Sequence, residues 1–132
     1  MCGILAILDP DHRPETKLDI YNGLASLQHR GQDGFGICCD DHAVRKSGMI
    51  TDIDVNDFDC FNKNKKCFLG HVRYRTAGSS YPKNIQPIVI EDKIQVSLVH
   101  NGNILNMNHL LSFNEYFVNN KDSHNLGDSD TC

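Results

Sequence analysis

The chain begins Met1-Cys2-Gly3, and Cys2 is the first residue whose chemistry stands out. If Met1 is removed, Cys2 carries a thiol and a free α-amine within one residue. Ordinary α-amines and thiols both titrate near pH 8, so the amine is a suitable base for the thiol. The alternative is a buried first strand with Cys2 as a small apolar side chain, which is a common fate of cysteine. Residues 1–4 alone favour the buried strand, but they do not exclude a nucleophilic Cys2.

Four further stretches combine charged, amide and glycine residues. They are LQHRGQDGFGI at 27–37, GHVRYRTAGSS at 70–80, HNGN at 100–103 and SDT at 129–131. The first three lie at predicted strand ends or in the turns beyond them, where binding and catalytic groups are often carried on a rigid base. Each also has an ordinary explanation, because Asn-Gly is a common hairpin turn and a charged residue in a polar tail is usually solvated. The order of the stretches therefore carries more information than any one of them.

Hydrophobic patterning predicts the elements that position these stretches. Residues 2–8 are a continuous apolar run, typical of a strand buried on both faces. Helical spacing of apolar residues predicts helices over 15–29 and 104–119. Strands are predicted at 34–39 and 67–74, with 43–50 as a hairpin partner of 34–39, and 86–100 as a second hairpin. Residues 51–66 read as a loop and the tail as mostly irregular. Strands and helices mixed at irregular intervals predict an α+β fold.

Composition excludes several classes of function. The 132 residues suffice for one domain. A net charge of -4 predicts no nucleic-acid partner, because the one basic cluster, KNKK at 63–66, is short and follows an acidic stretch. No apolar run is long enough to span a membrane, and no signal peptide is recognisable, so the expectation is a cytoplasmic protein with no membrane partner and reduced thiols. The six cysteines show no metal-ligand spacing, so no metal site is predicted.

The five stretches, in this order and at this spacing, resemble the class II glutamine amidotransferases, whose glutaminase domain uses an N-terminal nucleophile. Three of these motifs are similar in sequence to those of the family branch that begins purine synthesis: LQHRGQDG, GHVRYRTAGSS and HNGN. The resemblance runs from Cys2 to Thr131, with a variable stretch between about 40 and 66. It implies an αββα sandwich of the N-terminal-nucleophile hydrolase type and, as activity, hydrolysis of L-glutamine to glutamate and ammonia.

The resemblance implies a catalytic role for three residues. Cys2 matches the nucleophile, with its own α-amine as the base. Asn101 and Gly102 match the oxyanion hole, through a side-chain amide and a backbone N–H respectively. In this mechanism no histidine is needed for proton transfer.

The resemblance also implies residues that bind or support the substrate. Arg73 matches the clamp on the glutamine α-carboxylate, and Asp130 matches the residue that holds its α-ammonium. Thr76 is a supporting hydroxyl near the substrate. Three residues of the HRGQD stretch are expected to brace the turn of the nucleophile: Arg30, Gly31 and Asp33. Arg75 stands where the resemblance leads us to expect proline or serine, so weaker glutamine binding is an expectation.

The family pattern is longer than this chain. We expect residues 1–132 to be the N-terminal portion of a truncated glutaminase domain, without the phosphoribosyltransferase domain that follows in the nearest branch. No cofactor is expected in this chain, because Mg²⁺ would belong to that absent domain. A second polypeptide that completes the domain or accepts ammonia is a further expected partner. The alternative function is a catalytically silent fragment or a glutamine-binding module.

Overall fold

The computed structural model describes residues 1–40, 42–57, 65–75, 84–91, 93–102 and 105–106. Its regular elements are one helix and six strands: β1 (Gly3–Leu8), α1 (Thr16–Leu27), β2 (Gly34–Cys39), β3 (His42–Ser47), β4 (Cys67–Arg73), β5 (Ile88–Glu91) and β6 (Gln95–Leu98). Short 3-10 turns occupy Gln28–Arg30, Ile50–Asp52 and Val55–Asp57. Within these ranges, no helix is both long enough and apolar enough to cross a membrane.

The first sheet has four antiparallel strands in the order β1-β4-β2-β3. The predicted 34–50 hairpin is confirmed, although β3 ends at Ser47. Strand β4 lies between β1 and β2, with Val72 opposite both Gly3 and Phe35. The end of β4 therefore lies beside the start of β1 and the start of β2, although these segments are far apart in the sequence.

Helix α1 covers one face of this sheet. The predicted helix over 15–29 is confirmed as Thr16–Leu27 followed by the 3-10 turn. Ile20 and Leu24 are buried in the core, and a Cβ on Gly70 of β4 would lie 2.8 Å from the Leu24 side chain. Close packing of the helix against the sheet thus depends on the missing side chain at that position.

The prediction that β1 is buried on both faces is wrong for the described structure. Gly3, Leu5 and Ile7 face helix α1 and are buried or half-buried, whereas the alternate side chains on the opposite face are exposed. Ile4 is 41 % exposed and Leu8 74 %. The physical reason is position, since β1 is an edge strand of the described sheet and the helix covers only one of its faces. A run of apolar residues cannot indicate how many layers cover a strand.

The second hairpin packs on the other face of the first sheet. Strands β5 and β6 pair antiparallel, which confirms the predicted hairpin. The thiol of Cys38 in β2 lies 3.3 Å from the Ser97 hydroxyl in β6, and the Arg45 Nε donates to the Pro87 carbonyl at 2.7 Å. The described residues therefore form a helix layer and two sheet layers, which confirms the α+β prediction.

Some predicted elements lie outside the described residues. This holds for nearly all of the predicted helix at 104–119, of which only residues 105–106 are described, as a turn. It also holds for the tail and for part of the predicted 51–66 loop.

Candidate active site

The Cys2 thiol lies where β1 begins and β4 ends. The backbone N–H of Tyr74 faces Cys2 Sγ at 3.4 Å, and Sγ lies 3.6 Å from the Tyr74 carbonyl oxygen. Both contacts follow from the register that sets Gly3 opposite Val72. Cys2 is half-buried and forms no disulfide. The thiol is thus held against a strand end without being enclosed in the core, so the buried-strand alternative does not describe this cysteine.

Arg30 secures the backbone of Cys2. Its Nε donates to the Cys2 carbonyl oxygen at 2.9 Å. Because the 3-10 turn that carries Arg30 directly follows helix α1, the helix determines where this guanidinium lies. Arg30, which was predicted to support the nucleophile, thus contacts Cys2 directly.

Gly31 lets that turn approach the end of β4. A Cβ on Gly31 would lie 2.4 Å from the Arg73 carbonyl carbon and 2.8 Å from the Tyr74 nitrogen. Its φ of -162° is extended backbone that any residue adopts, so the requirement for glycine is one of space. The same backbone that contacts the Cys2 thiol therefore packs directly on Gly31.

Gln28 is a supporting residue that sequence reasoning missed. Its side chain is buried, its Nε2 donates to the Gly31 carbonyl, and its Oε1 accepts from the Ile50 N–H at 2.8 Å. The residue stands inside the LQHRGQDG stretch. The only available signal was a glutamine next to a turn, since its partner at position 50 is distant in sequence.

Asp33 orders the backbone that leaves β4. Its N–H donates to the Arg73 carbonyl at 3.0 Å, and its carboxylate Oδ2 accepts from the Arg75 N–H at 2.8 Å. The three residues predicted as supports, at positions 30, 31 and 33, therefore all contact Cys2 or the segment beside it. Arg75 is exposed and makes this contact through its backbone, while its expected effect on glutamine binding stays a prediction.

Arg73 and His71 lie on the face of β4 that is turned toward the second hairpin. Arg73 is 7 % exposed, and its role as the carboxylate clamp stays a prediction. His71 is fully buried, and burial lowers its pKa to about 4. The positive charge of Arg73 acts in the same direction, whereas the nearby backbone of His100 raises the pKa. His71 is therefore neutral at pH 7.

The neutral His71 makes stability depend on pH. Its folded pKa of about 4 lies below the ordinary 6.5, so the unfolded chain binds more protons between these values. The contribution of His71 to the free energy of unfolding is therefore fully present above pH 6.5, and it is lost as the pH falls toward 4. We expect the free energy of unfolding to drop by about 2 kcal/mol from pH 7.5 to pH 5, measured by urea titration.

A substitution isolates this effect. His71→Gln is expected to remove most of the slope over that pH range. The matched control is His29→Gln, because His29 is exposed and its Nδ1 contacts the Ser26 carbonyl at 2.9 Å. If the free energy of unfolding of His71→Gln depended on pH as steeply as that of the parent, His71 would not be the source of the pH dependence.

Asn101 and Gly102 follow β6 and are exposed. The residue before them, His100, donates its backbone N–H to the Gln86 side chain at 2.5 Å. In the described part of the chain, no hydrogen bond joins Asn101 or Gly102 to Cys2, so their role as an oxyanion hole stays a prediction. Thr76 and Asp130 lie outside the described residues, and their predicted roles are likewise open.

The described residues hold no further cluster that suggests a different chemistry. Among them, no group of three or more His, Cys, Asp or Glu side chains could hold a metal ion. None of the four described cysteines forms a disulfide: Cys2, Cys38, Cys39 and Cys67. Cys38 and Cys39 are buried, as expected for structural residues, whereas Cys67 is exposed.

Comparison with known proteins gives consistent relatives. A search of protein-family models gives no match. The amidophosphoribosyltransferase of Archaeoglobus fulgidus is 40% identical over 114 residues, which is 83% of this chain and 24% of the relative. The Schizosaccharomyces pombe enzyme is 38% identical over 111 residues, covering 80% of this chain and 21% of the relative. For the Bacillus subtilis enzyme the identity is 36% over 115 residues, again 83% of this chain and 23% of the relative.

Solved structures agree in fold. A structure described as the allosteric regulatory enzyme of purine biosynthesis matches with a TM-score of 0.67 and 37% identity, over 84% of this chain and 24% of that one. The glutamine phosphoribosylpyrophosphate amidotransferase of B. subtilis, in complex with ADP and GMP, matches with a TM-score of 0.59 and 33% identity, over 84% of this chain and 23% of that one. The chain thus spans about a quarter of the length of the relatives it matches. By sequence and by fold, it is similar to the N-terminal part of the amidophosphoribosyltransferases, and it has the N-terminal-nucleophile hydrolase fold of that part.

Proposed function

We propose that this chain carries out the glutamine-hydrolysing half-reaction of a glutamine amidotransferase, with Cys2 as the nucleophile. The observation that carries the proposal is the half-buried thiol at the end of β4, held through Tyr74 and through the Arg30 contact with the Cys2 carbonyl. A nucleophile must be accessible and its backbone must be fixed, and this residue meets both conditions. The family relation supports glutamine as the substrate.

The proposed reaction needs Met1 to be removed, which exposes the α-amine of Cys2. The amine takes the thiol proton, and the thiolate attacks the side-chain amide carbon of glutamine. The resulting oxyanion is stabilised by the Asn101 amide and the Gly102 N–H. Collapse breaks the C–N bond, and the α-ammonium returns the proton to the leaving group, which departs as ammonia. Water, deprotonated by the amine, then hydrolyses the thioester to glutamate and restores the thiol.

Substrate selection is proposed to rest on charge at both ends of the amino acid. Arg73 would bind the α-carboxylate through its planar guanidinium, and Asp130 would hold the α-ammonium. Thr76 would add a hydroxyl beside the substrate. The nearly complete burial of Arg73 supports its part, because a charge pair is stronger away from water.

The ammonia is proposed to serve the first committed step of purine synthesis, in which phosphoribosyl pyrophosphate becomes 5-phosphoribosylamine. That step would use a phosphoribosyltransferase domain and its Mg²⁺, whereas glutamine hydrolysis by this chain uses only its own side chains and backbone. The proposed location is the cytoplasm, where thiols stay reduced. A second polypeptide that completes the domain or accepts the ammonia is part of the same proposal.

The second candidate is a catalytically silent fragment or a glutamine-binding module. The observation that favours it is that, in the described part of the chain, no hydrogen bond joins Asn101 or Gly102 to Cys2. Intact mass spectrometry of the purified chain, before and after exposure to 6-diazo-5-oxo-norleucine, separates the two. Loss of Met1 and a single covalent adduct on Cys2, together with glutamate formed from glutamine, is expected. A retained Met1, or a processed chain that takes no adduct, would establish the silent alternative.

A further inference from the structure

Gln86 joins the first sheet to the residues that precede the proposed oxyanion hole. Its side chain is 5% exposed, and its Oε1 accepts a hydrogen bond from the His100 backbone N–H at 2.5 Å. His100 directly precedes Asn101 and Gly102. The contact bridges 14 residues of sequence, so the position of this backbone does not depend on the β6 strand alone.

The backbone of Gln86 is itself tightly held on the first sheet. A Cβ on Gly36 of β2 would lie 2.1 Å from the Gln86 carbonyl oxygen, so the two backbones meet where Gly36 has no side chain. One residue further, the Pro87 carbonyl accepts from Arg45 Nε at 2.7 Å. Gln86 is therefore anchored to β2 and β3, which belong to the sheet that also carries Cys2 at its edge.

The restraint at His100 extends to Gly102. A Cβ on Gly102 would lie 2.8 Å from His100 Nε2, so the imidazole packs over the Gly102 backbone. Moving the backbone of His100 would move the ring and release Gly102. A hydrogen bond to His100 therefore acts on the segment that includes the proposed oxyanion donors.

We propose that Gln86 is a positioning residue that fixes the Asn101–Gly102 segment relative to the first sheet. This inference rests on the proposed function, in which both residues donate to the oxyanion. Such donors accelerate the reaction only when they are held in place before the charge develops. Loss of the anchor should thus lower kcat for glutamine hydrolysis and leave KM nearly unchanged, because the ground-state contacts of the substrate lie elsewhere.

The test uses three variants of the full chain. Gln86→Met has a similar length but no acceptor, and Gln86→Glu restores an oxygen at the same place. The matched control is Gln95→Met, which removes an exposed glutamine of the same hairpin whose Nε2 donates to the Asp40 carbonyl at 2.9 Å. Urea unfolding shows that each variant is folded at the assay temperature. Glutaminase kinetics and amide hydrogen exchange at the His100 N–H are then measured.

We expect Gln86→Met to lower kcat at least about tenfold, with KM within about twofold of the parent. The His100 amide should exchange about tenfold faster. Gln86→Glu should recover most of both properties, and Gln95→Met should match the parent. A parental kcat in Gln86→Met would overturn the inference. So would a kcat that is reduced as much in Gln86→Glu as in Gln86→Met.

The two proposals fail in distinguishable ways. If the parent chain hydrolyses no glutamine and takes no adduct on Cys2, the proposed function fails. The hydrogen-exchange measurement still decides whether Gln86 holds His100, since it needs no activity. An exchange rate at His100 that is unchanged in Gln86→Met would overturn the positioning role on its own.

Discussion

Cys2→Ala is expected to abolish glutamine hydrolysis, by at least about a thousandfold in kcat, and to prevent the adduct with 6-diazo-5-oxo-norleucine. The reason is that the proposed route to the thioester runs through Sγ of this residue. Both contacts of Sγ with Tyr74 are long, at 3.4 Å and 3.6 Å. We therefore expect the substitution to change the free energy of unfolding by less than about 1 kcal/mol. Activity and stability thus separate cleanly at this position.

Cys67→Ala is the matched control. Cys67 is also a free thiol and is exposed at the start of β4, yet it has no place in the proposed site. Its replacement is expected to leave activity and labelling at the parental level. Glutamate formation by Cys2→Ala, or an adduct found on Cys67 in the parent, would contradict Cys2 as the nucleophile. Peptide mapping by mass spectrometry identifies the labelled cysteine.

Gly31→Ala is expected to lower the free energy of unfolding by about 3 kcal/mol, which is large for the addition of one methyl group. The added Cβ would lie 2.4 Å from the Arg73 carbonyl carbon. The atoms that it would meet belong to the backbone, which cannot move aside as a side chain does. The turn must shift away from β4. Because Arg30 is carried by that turn, its hydrogen bond to the Cys2 carbonyl is lost with the shift. Slower labelling of Cys2 should therefore accompany the lower stability.

Gly23→Ala provides the comparison for Gly31→Ala. A Cβ on Gly23 would meet the tip of the Leu5 side chain at 2.8 Å, and that side chain can adjust. The residue lies within helix α1, where alanine is favoured over glycine by about 1 kcal/mol. A near-neutral change in unfolding free energy is thus expected there, with labelling of Cys2 unaltered. A loss in Gly31→Ala no greater than that in Gly23→Ala would refute the steric argument.

Local signals in the sequence were sufficient for most elements of the described fold. Apolar residues at helical spacing predicted α1, and turn residues between short apolar runs predicted both hairpins, because these patterns depend on neighbours in the chain. The family pattern in the order of the motifs also predicted supporting residues at positions 30, 31 and 33, and this role stays a prediction. Each of these is now seen in contact with Cys2 or with the strand end beside it.

What the tertiary structure decided is how distant segments meet. The strand order β1-β4-β2-β3 brings Tyr74 to the Cys2 thiol, and no periodicity in the sequence encodes which strands are neighbours. The exposed face of β1 has the same cause, since burial depends on the layers that cover a strand. Gln28 and Gln86 show most clearly which contacts sequence patterns do not reveal. An amide side chain has no preferred partner in the sequence, so only the packed chain reveals that these two hold the backbone on either side of the proposed site.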